Sequence, residues 1–523
     1  MQALDYDGRQ AAHICPILTA LCTDTEVICY RQEVFADISG SQSLQRDLAA
    51  LLPTLRELDE IRRYSARSED NELLQVVRRL RELELYVEAG QRLLAVLEAA
   101  AGELHARGLR LLHERLVEMA RSEEFARLLA ELPGLRATMQ KLSSVTIGVN
   151  LDEQARPVAA TLLSVNDLPF TGKRGLLARI LGKQREDIAG AGIAPLHAVA
   201  AHSPSPFLQP IFRDLGEVLR LVCQPVAQTL GHYVHVSVTP LSSLAPEIAF
   251  YLGAARLAER FRSAGLPLCR PVMLANEERA SHITDLYNVN LAVRLLSRPA
   301  PVGQPSMPIP SDLDMGKAGR NFVLTGPNMG GKTTYVQAVG LAHVLAQAGL
   351  FVPGRSAEIS VVDAIYTHFP EAEHSMQASG RLGEEAQRLA RIFSEATPYS
   401  LILLNESLSS TSPGESLYLA RDVLCALRLL GARAIYATHL HELAARLDEV
   451  NALAGGEPPA LSLVAGIVPP EERSRPGDLG RTYRIVLGPP QGTSYAEEVA
   501  QRHGISLAQL QEKLRQRGIL ADR

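Results

Sequence analysis

Leu324-Thr325-Gly326-Pro327-Asn328-Met329-Gly330-Gly331-Lys332-Thr333-Thr334 decides how this chain folds. The run satisfies G-x-x-x-x-G-K-[ST], and its setting suits that pattern. Asn321 to Thr325 reads as a short buried strand, and Lys332 to Ala348 reads as a helix. Glycines let the backbone curl until successive N–H groups point at a phosphate, and the helix N-terminus adds its partial positive charge. Lys332 then reaches the β- and γ-phosphates, and the Thr333 hydroxyl is placed to ligate Mg²⁺. Gly326, Pro327, Asn328, Met329, Gly330, Gly331, Lys332, Thr333 and Thr334 are therefore the candidate nucleotide contacts. ATP or ADP with Mg²⁺ are the expected cofactors.

Further along, Ser400-Leu401-Ile402-Leu403-Leu404 has the composition of a buried parallel strand, followed by Asn405 and Glu406. A carboxylate after such a strand usually supports Mg²⁺, and the next one orients or deprotonates the attacking water. Asn405 is neutral: it can accept a hydrogen bond from a magnesium-bound water but does not offset the cation's charge. Thr333, Asn405 and Glu406 form the candidate metal set, with Glu406 as the base. Slow turnover is the expectation, because binding survives this departure better than hydrolysis does. Ala432 to Ala437 reads as the next strand and ends at Thr438-His439, where a histidine can sense a γ-phosphate. His439 and His441 do not share a helix face, so a metal cluster is not expected and His441 reads as a cap or surface residue. Gly380, Arg381 and Gly383 read as opening a helix about twenty residues before the Asn405 strand. In dimeric ATPases of the ATP-binding-cassette type, such a helix start completes the partner's site with its free N–H groups.

Working back toward the N-terminus, Leu44 to Leu142 is dense in Leu, Arg and Glu at helical spacing. Leu73, Val76, Val77, Leu80, Leu83 and Val87 fall on one face, which predicts long helices packed side by side. Val145 to Val149 and Val158 to Leu163 read as a hairpin, and the alternation of Tyr233 to Val238 predicts a strand joining it. Between them Lys173, Arg174, Arg179, Lys183 and Arg185 concentrate positive charge. That cluster reads either as a nucleic-acid backbone contact or as a solvated loop and helix. Pro246 to Ala264 predicts another helix, and proline-rich breaks follow at Pro267 to Pro271 and Pro299 to Pro310.

A net charge of −5 and pI near 6.3 argue against a basic coat over the whole surface. Six scattered cysteines without C-x-x-C spacing suit a reduced intracellular protein with buried thiols. Neither a signal peptide nor a membrane span is expected.

These residues resemble the MutS family of DNA mismatch-repair ATPases. Thr325 to Tyr335 is similar to that family's loop, including its Pro-Asn-Met insertion. Ala437-Thr438-His439 with Glu442-Leu443 resembles its Ala-Thr-His segment, Ser409 to Ser412 its dimer-contact loop, and Gly492 to Ala496 its Ser-Tyr-Gly segment. Ile505 to Arg517 suits the family's small helical dimerisation element. The resemblance is strong over 270–522 and consistent over the helical half.

The implied fold class is multidomain: an α-helical core/lever domain (1–269) with a small β-containing, clamp-like part around 143–240. An α/β P-loop NTPase domain of the ATP-binding-cassette type (270–500) follows, then the helical element (501–523). The implied function is an ATP-dependent homodimer, joined through its ATPase domains, that clamps duplex or branched DNA in repair or recombination, in the cytoplasm on the nucleoid. A nucleotide-gated scaffold and an RNA- or ribosome-binding ATPase are the alternatives. The departures carry expectations of their own. The only Phe-x-Glu triplets are Phe369-Pro370-Glu371 and Phe393-Ser394-Glu395, so mispair reading by the family's N-terminal wedge is not expected, nor is a C-terminal nuclease. Leu382-Gly383 replaces the Ser-Thr-Phe run that follows Gly-Arg in the family.

Overall fold

The computed structural model describes residues 2–65, 72–140, 144–154, 157–169, 223–298, 305–369, 380–467, 481–490, 504–517 and 519. The basic cluster of Lys173, Arg174, Arg179, Lys183 and Arg185 lies outside them, as does Gly492 to Ala496. Packing separates two compact units. One holds Met1–Gln42, His105–Gly108 and Phe250–Arg523; the other holds Ser43–Leu104 and Leu109–Ala249. The expected division at 269 follows a proline-rich break and that at 500 the family resemblance, whereas these units follow contacts.

Helices α1 (Ala11–Thr19) and α2 (Thr25–Gly40) belong to the first unit. The Asp24 carboxylate starts α2 by accepting from the N–H groups of Glu26 (2.9 Å) and Val27 (3.2 Å). The helix then docks through Gln32, whose Nε2 donates to the Pro271 carbonyl at 3.1 Å, and through Phe35, which meets Phe351 edge-on at 4.8 Å. Neither contact follows a periodicity, so the early helices read from sequence as part of the helical half.

The second unit carries most of the predicted long helices: α3 (Gln42–Ser65), α4 (Glu72–Ala99), α5 (Arg107–Arg121) and α6 (Glu123–Gln140). Leu80, Leu83 and Val87 of α4 pack with Phe125, Leu128 and Leu132 of α6, as the apolar stripe requires. Val77 sits at the rim of that stripe and is exposed. The hairpin forms as read, β1 (Ser144–Leu151) antiparallel to β2 (Pro157–Asn166).

Tyr233 to Val238 does not join it; this expectation is corrected. The sheet has two strands, and 232–235 is a turn following helical residues 223–231. Arg79 takes the carbonyls of Tyr233 (2.6 Å) and Val236 (3.0 Å) that a strand would have used. Tyr233 is buried among the helices instead, with its hydroxyl donating to Glu131 Oε2 at 2.8 Å. Alternation over six residues is too short to outweigh one arginine that satisfies two carbonyls.

The chain passes from the second unit to the first within α7 (Leu244–Ser263), and the first continues with β3 (Leu268–Cys269), β4 (Val272–Leu274), β5 (Ser281–Leu286), α8 (Val289–Ser297) and β6 (Ser311–Met315). Next come β7 (Asn321–Thr325), α9 (Lys332–Gln347), β8 (Val352–Pro353), β9 (Ser356–Ser360), β10 (Ile365–His368) and α10 (Gly380–Glu395). Then follow β11 (Leu401–Asn405), α11 (Pro413–Leu430), β12 (Arg433–Ala437), α12 (His441–Ala445), α13 (Leu447–Ala454), β13 (Ala460–Ile467), β14 (Arg481–Leu487) and α14 (Leu507–Gln516).

The main sheet has the order β10-β11-β12-β7-β13-β14, parallel up to β13, with β14 antiparallel at the edge. Every residue of β7, β11 and β12 is buried, as expected of strands covered on both faces. A four-stranded sheet, β4-β9-β5-β6, lies in the same unit and was not legible in the sequence. Of the six cysteines only Cys223 and Cys425 are buried, and all six are free thiols. No described helix is long and apolar enough to cross a membrane.

A buried polar knot joins these elements. His343 of α9 is fully buried, with Nδ1 2.8 Å from the Val339 carbonyl and Nε2 2.9 Å from Ser281 Oγ. The first contact requires an Nδ1–H donor, so Nε2 accepts from the serine. Burial, and then the charge of Arg433, lowers the His343 pKa to about 3. The folded chain thus keeps this imidazole neutral where the unfolded chain protonates it. Stability contributed above pH 6.5 is lost as the pH falls toward 3, at about 1.4 kcal/mol per pH unit for one proton. Urea midpoints measured from pH 7 to pH 4 are expected to fall more steeply in the wild type than in His343→Gln. Parallel profiles would exclude this histidine as the source.

Candidate nucleotide site

The strand order reverses direction at β7, whose neighbours β12 and β13 come from later in the chain. The crevice beyond the carboxyl end of such a strand is where open α/β sheets bind ligands. The sequence from Gly326 to Gly331 fills that position, between the end of β7 and the first turn of α9. Gly326 has φ +139°, and a Cβ there would come 2.7 Å from the Ala465 Cβ of β13, so only glycine fits. Gly331 has φ +100° and caps α9. Met329 also adopts a left-handed conformation, at φ +61°, and its side chain is exposed.

Lys332 is buried, and its Nζ donates to the carbonyls of Gly326 (3.0 Å) and Pro327 (3.2 Å). Burial pushes its ammonium below the ordinary lysine range, while the charge of Glu406 pulls the other way. Thr333 Oγ1 donates to Asn405 Oδ1 at 3.2 Å. This brings the helix start and the end of β11 within reach of one cation. Asn405 ends the buried strand, and the chain turns sharply after it: Glu406 has φ +53°, with its N–H donating to the Ala437 carbonyl at 2.8 Å. The turn aims Glu406 at His439, whose Nε2 lies 2.8 Å from Glu406 Oε1. His439 is itself held at the end of β12, where the Thr438 N–H donates to the Leu324 carbonyl at 2.9 Å.

The residues singled out on β7, β11 and β12 are therefore brought together. Gly380, Arg381 and Gly383 occupy the first turn of α10. Ser412 caps α11, its hydroxyl donating to Glu415 Oε2 at 2.9 Å. His441 opens the short α12, and no group of three metal-binding side chains gathers among the described residues.

Beside the loop lies a cleft of about 270 Å³. Its lining includes the polar Lys332, Thr333 and Glu406 and a mostly apolar wall of Tyr287, Leu291, Leu295, Met307, Ile309 and Tyr483. An apolar lining next to a glycine-rich turn at a helix start has the shape and chemistry to suit a flat heterocyclic base joined to phosphates. Asn288 fixes this wall to the loop: its side-chain oxygen caps α8 by accepting from Leu291 N (2.9 Å), and its Nδ2 donates to the Thr334 carbonyl (2.8 Å). Tyr483 is a strained neighbour, at φ +57° in an edge strand, with its backbone against Gly331. The sequence reading missed this whole wall. The one available signal was the apolar Met307-Pro308-Ile309, one residue ahead of β6. Tyr483→Ala is expected to weaken ATP binding about three- to tenfold, the range of one aromatic contact. Equilibrium titration with a fluorescent ATP analogue checks it, and an unchanged affinity would place the base elsewhere.

Residues 322–458 match the family model described as MutS domain V, and residues 23–264 match the MutS2 N-terminal domain. A protein of Thermomicrobium roseum called Endonuclease MutS2 is 29% identical over 418 residues, covering 78% of this chain and 46% of that protein. A DNA mismatch repair protein MutS from Granulibacter bethesdensis is 36% identical over 201 residues, 38% of this chain and 20% of that protein. DNA mismatch repair protein MutS 2 of Halobacterium salinarum is 35% identical over 199 residues, 38% of this chain and 21% of its own length. The chain thus spans about half the length of the first relative and about a fifth of the other two.

Proposed function

The chain belongs to the MutS family, and from that premise we propose that it is an ATP-dependent DNA-binding ATPase of repair or recombination. The observation that carries this reading is the meeting of Lys332, Thr333, Asn405, Glu406 and His439 at one end of the parallel sheet. In this reading Lys332 and the loop hold the triphosphate, Thr333 and Asn405 face Mg²⁺, Glu406 activates water and His439 senses the γ-phosphate. Two copies pair through their ATPase domains, and Gly380, Arg381 and Gly383 of one reach the nucleotide of the other. The sequence-based division into core/lever, clamp-like part, ATPase and dimerisation helix belongs to the same proposal, as does a cytoplasmic, nucleoid-associated location.

ATP would favour the closed pair over ADP, and a near-complete switch needs about 5.5 kcal/mol of differential binding. The levers would then hold duplex or branched DNA in one nucleotide state and release it in the other. Binding of homoduplex, mismatched and four-way-junction DNA, each with ADP and with ATP, tests this. The expected result is an affinity that changes at least about tenfold with nucleotide and is highest for the junction. Equal binding in both nucleotide states sinks the proposal. Exchanging Lys173, Arg174 and Lys183 for alanine is expected to flatten the salt dependence.

Asn405 supports a second reading, a nucleotide-gated scaffold with hardly any turnover. Single-turnover hydrolysis by the wild type beside Glu406→Ala separates the two, since a scaffold leaves both equally inert.

A further inference from the structure

Three arginines meet at the other pole of the main sheet, one strand length (about 17 Å) from the nucleotide loop. Arg433 opens β12, Arg320 immediately precedes β7, and Arg279 lies on the turn before β5. The backbone locks them together: Ala434 N donates to the Arg320 carbonyl at 2.8 Å, and Asn321 Nδ2 donates to the Ala432 carbonyl at 2.7 Å. Arg279 adopts a left-handed conformation, φ +46°, which turns its guanidinium onto the Gly431 carbonyl at 3.3 Å.

Their charges are poorly answered. Arg433 is completely buried and donates to the carbonyls of Ala280 (3.0 Å), Ser360 (2.9 Å), Val361 (3.0 Å) and Tyr399 (3.5 Å), and to Ser281 Oγ (3.0 Å). All five acceptors are neutral. Arg320 is half-buried, and its Nε is enclosed with no hydrogen-bond partner among the described residues. Burial lowers the pKa of Arg433 to about 10, Asp363 partly opposes this, and Arg320 and Arg279 press it further down. Burial and Arg279 act on Arg320 in the same direction. A desolvated guanidinium without an anionic partner is costly, and a bidentate oxyanion is the group that best relieves it.

We propose that Arg279 and Arg320, backed by the buried Arg433, form a second anion site that takes a small phosphate-type oxyanion. Two features favour a small ligand over a nucleic-acid backbone. Arg279 and Arg320 are themselves half-buried, so each offers only part of its guanidinium, which suits one small anion more than an extended chain. Glu277 and Glu278, both exposed and directly preceding Arg279, repel a polyanion laid along this edge.

The full chain is saturated with ADP and Mg²⁺, so that the Lys332 loop is occupied, and titrated with inorganic phosphate against chloride at matched ionic strength. The same titration on Lys332→Ala removes any dependence on the nucleotide reading. Phosphate is expected to raise the melting temperature saturably in both. Arg320→Gln and Arg279→Gln are expected to raise the half-saturating concentration about tenfold or more while leaving ADP affinity unchanged. Either substitution alone suffices if the other impairs folding. A phosphate response that is absent from the wild type, or equal in the wild type and the variants, overturns the site. Protection by a short DNA duplex at matched phosphate concentration that Arg320→Gln and Arg279→Gln both abolish also overturns it, in favour of a backbone contact.

Discussion

Glu406→Gln is expected to slow ATP hydrolysis by about 10²- to 10⁴-fold while leaving ATP affinity within about threefold. The proposed base stands on a left-handed turn after a buried strand, held there by the Ala437 carbonyl and met by His439 Nε2 at 2.8 Å. Glutamine preserves the size and the hydrogen bond to His439 but not the basicity, so binding and chemistry separate in this one variant. Single-turnover hydrolysis with magnesium and DNA, alongside equilibrium ATP titration, reads both quantities. Hydrolysis at the wild-type rate would remove Glu406 from the reaction.

The converse substitution restores a charge. Asn405→Asp is expected to lower the Mg²⁺ concentration for half-maximal hydrolysis about tenfold and to raise the rate by a similar factor. Asn405 Oδ1 accepts from Thr333 Oγ1 at 3.2 Å, so a carboxylate there would face the same cation as the threonine hydroxyl. One added negative charge beside a divalent ion, at the effective dielectric of a partly wet site, would have several kcal/mol of Coulomb attraction available. Desolvation of the carboxylate offsets much of that, which is why tenfold is expected rather than a thousandfold. A magnesium titration that superimposes on the wild type would show that residue 405 does not see the metal.

What the sequence made legible was whatever a short local pattern specifies. β7, α9, β11 and β12 each announce themselves by an unbroken apolar run or by the glycine-rich turn, and these elements carry Lys332, Thr333, Asn405, Glu406 and His439. The geometry among them follows from parallel pairing, since aligned strands deliver their carboxyl ends to one edge. The apolar wall stayed hidden for the opposite reason. Leu291, Met307 and Tyr483 come from a helix, a loop and an edge strand separated by up to 192 positions (483 − 291), and no spacing rule links them. The four-stranded sheet was hidden because β4 spans only three residues and β6, Ser311–Met315, alternates polar with apolar residues instead of forming an unbroken apolar run. Tyr233 to Val238 misled because its alternation is genuine but Arg79, 154 residues away, takes the carbonyl of Tyr233.

The nucleotide turn sits on a strand that is flanked on one side by 433–437 and on the other by 460–467. During synthesis, residue 326 therefore leaves the ribosome well before either lateral support exists. Until then the nascent β7 has two open edges and an unanchored glycine turn, the kind of exposed strand that recruits chaperones or mispairs. Competence to bind a triphosphate should emerge late and abruptly, as the last parallel strand docks. A ribosome-stalled chain ending near 450 would be blind to ATP.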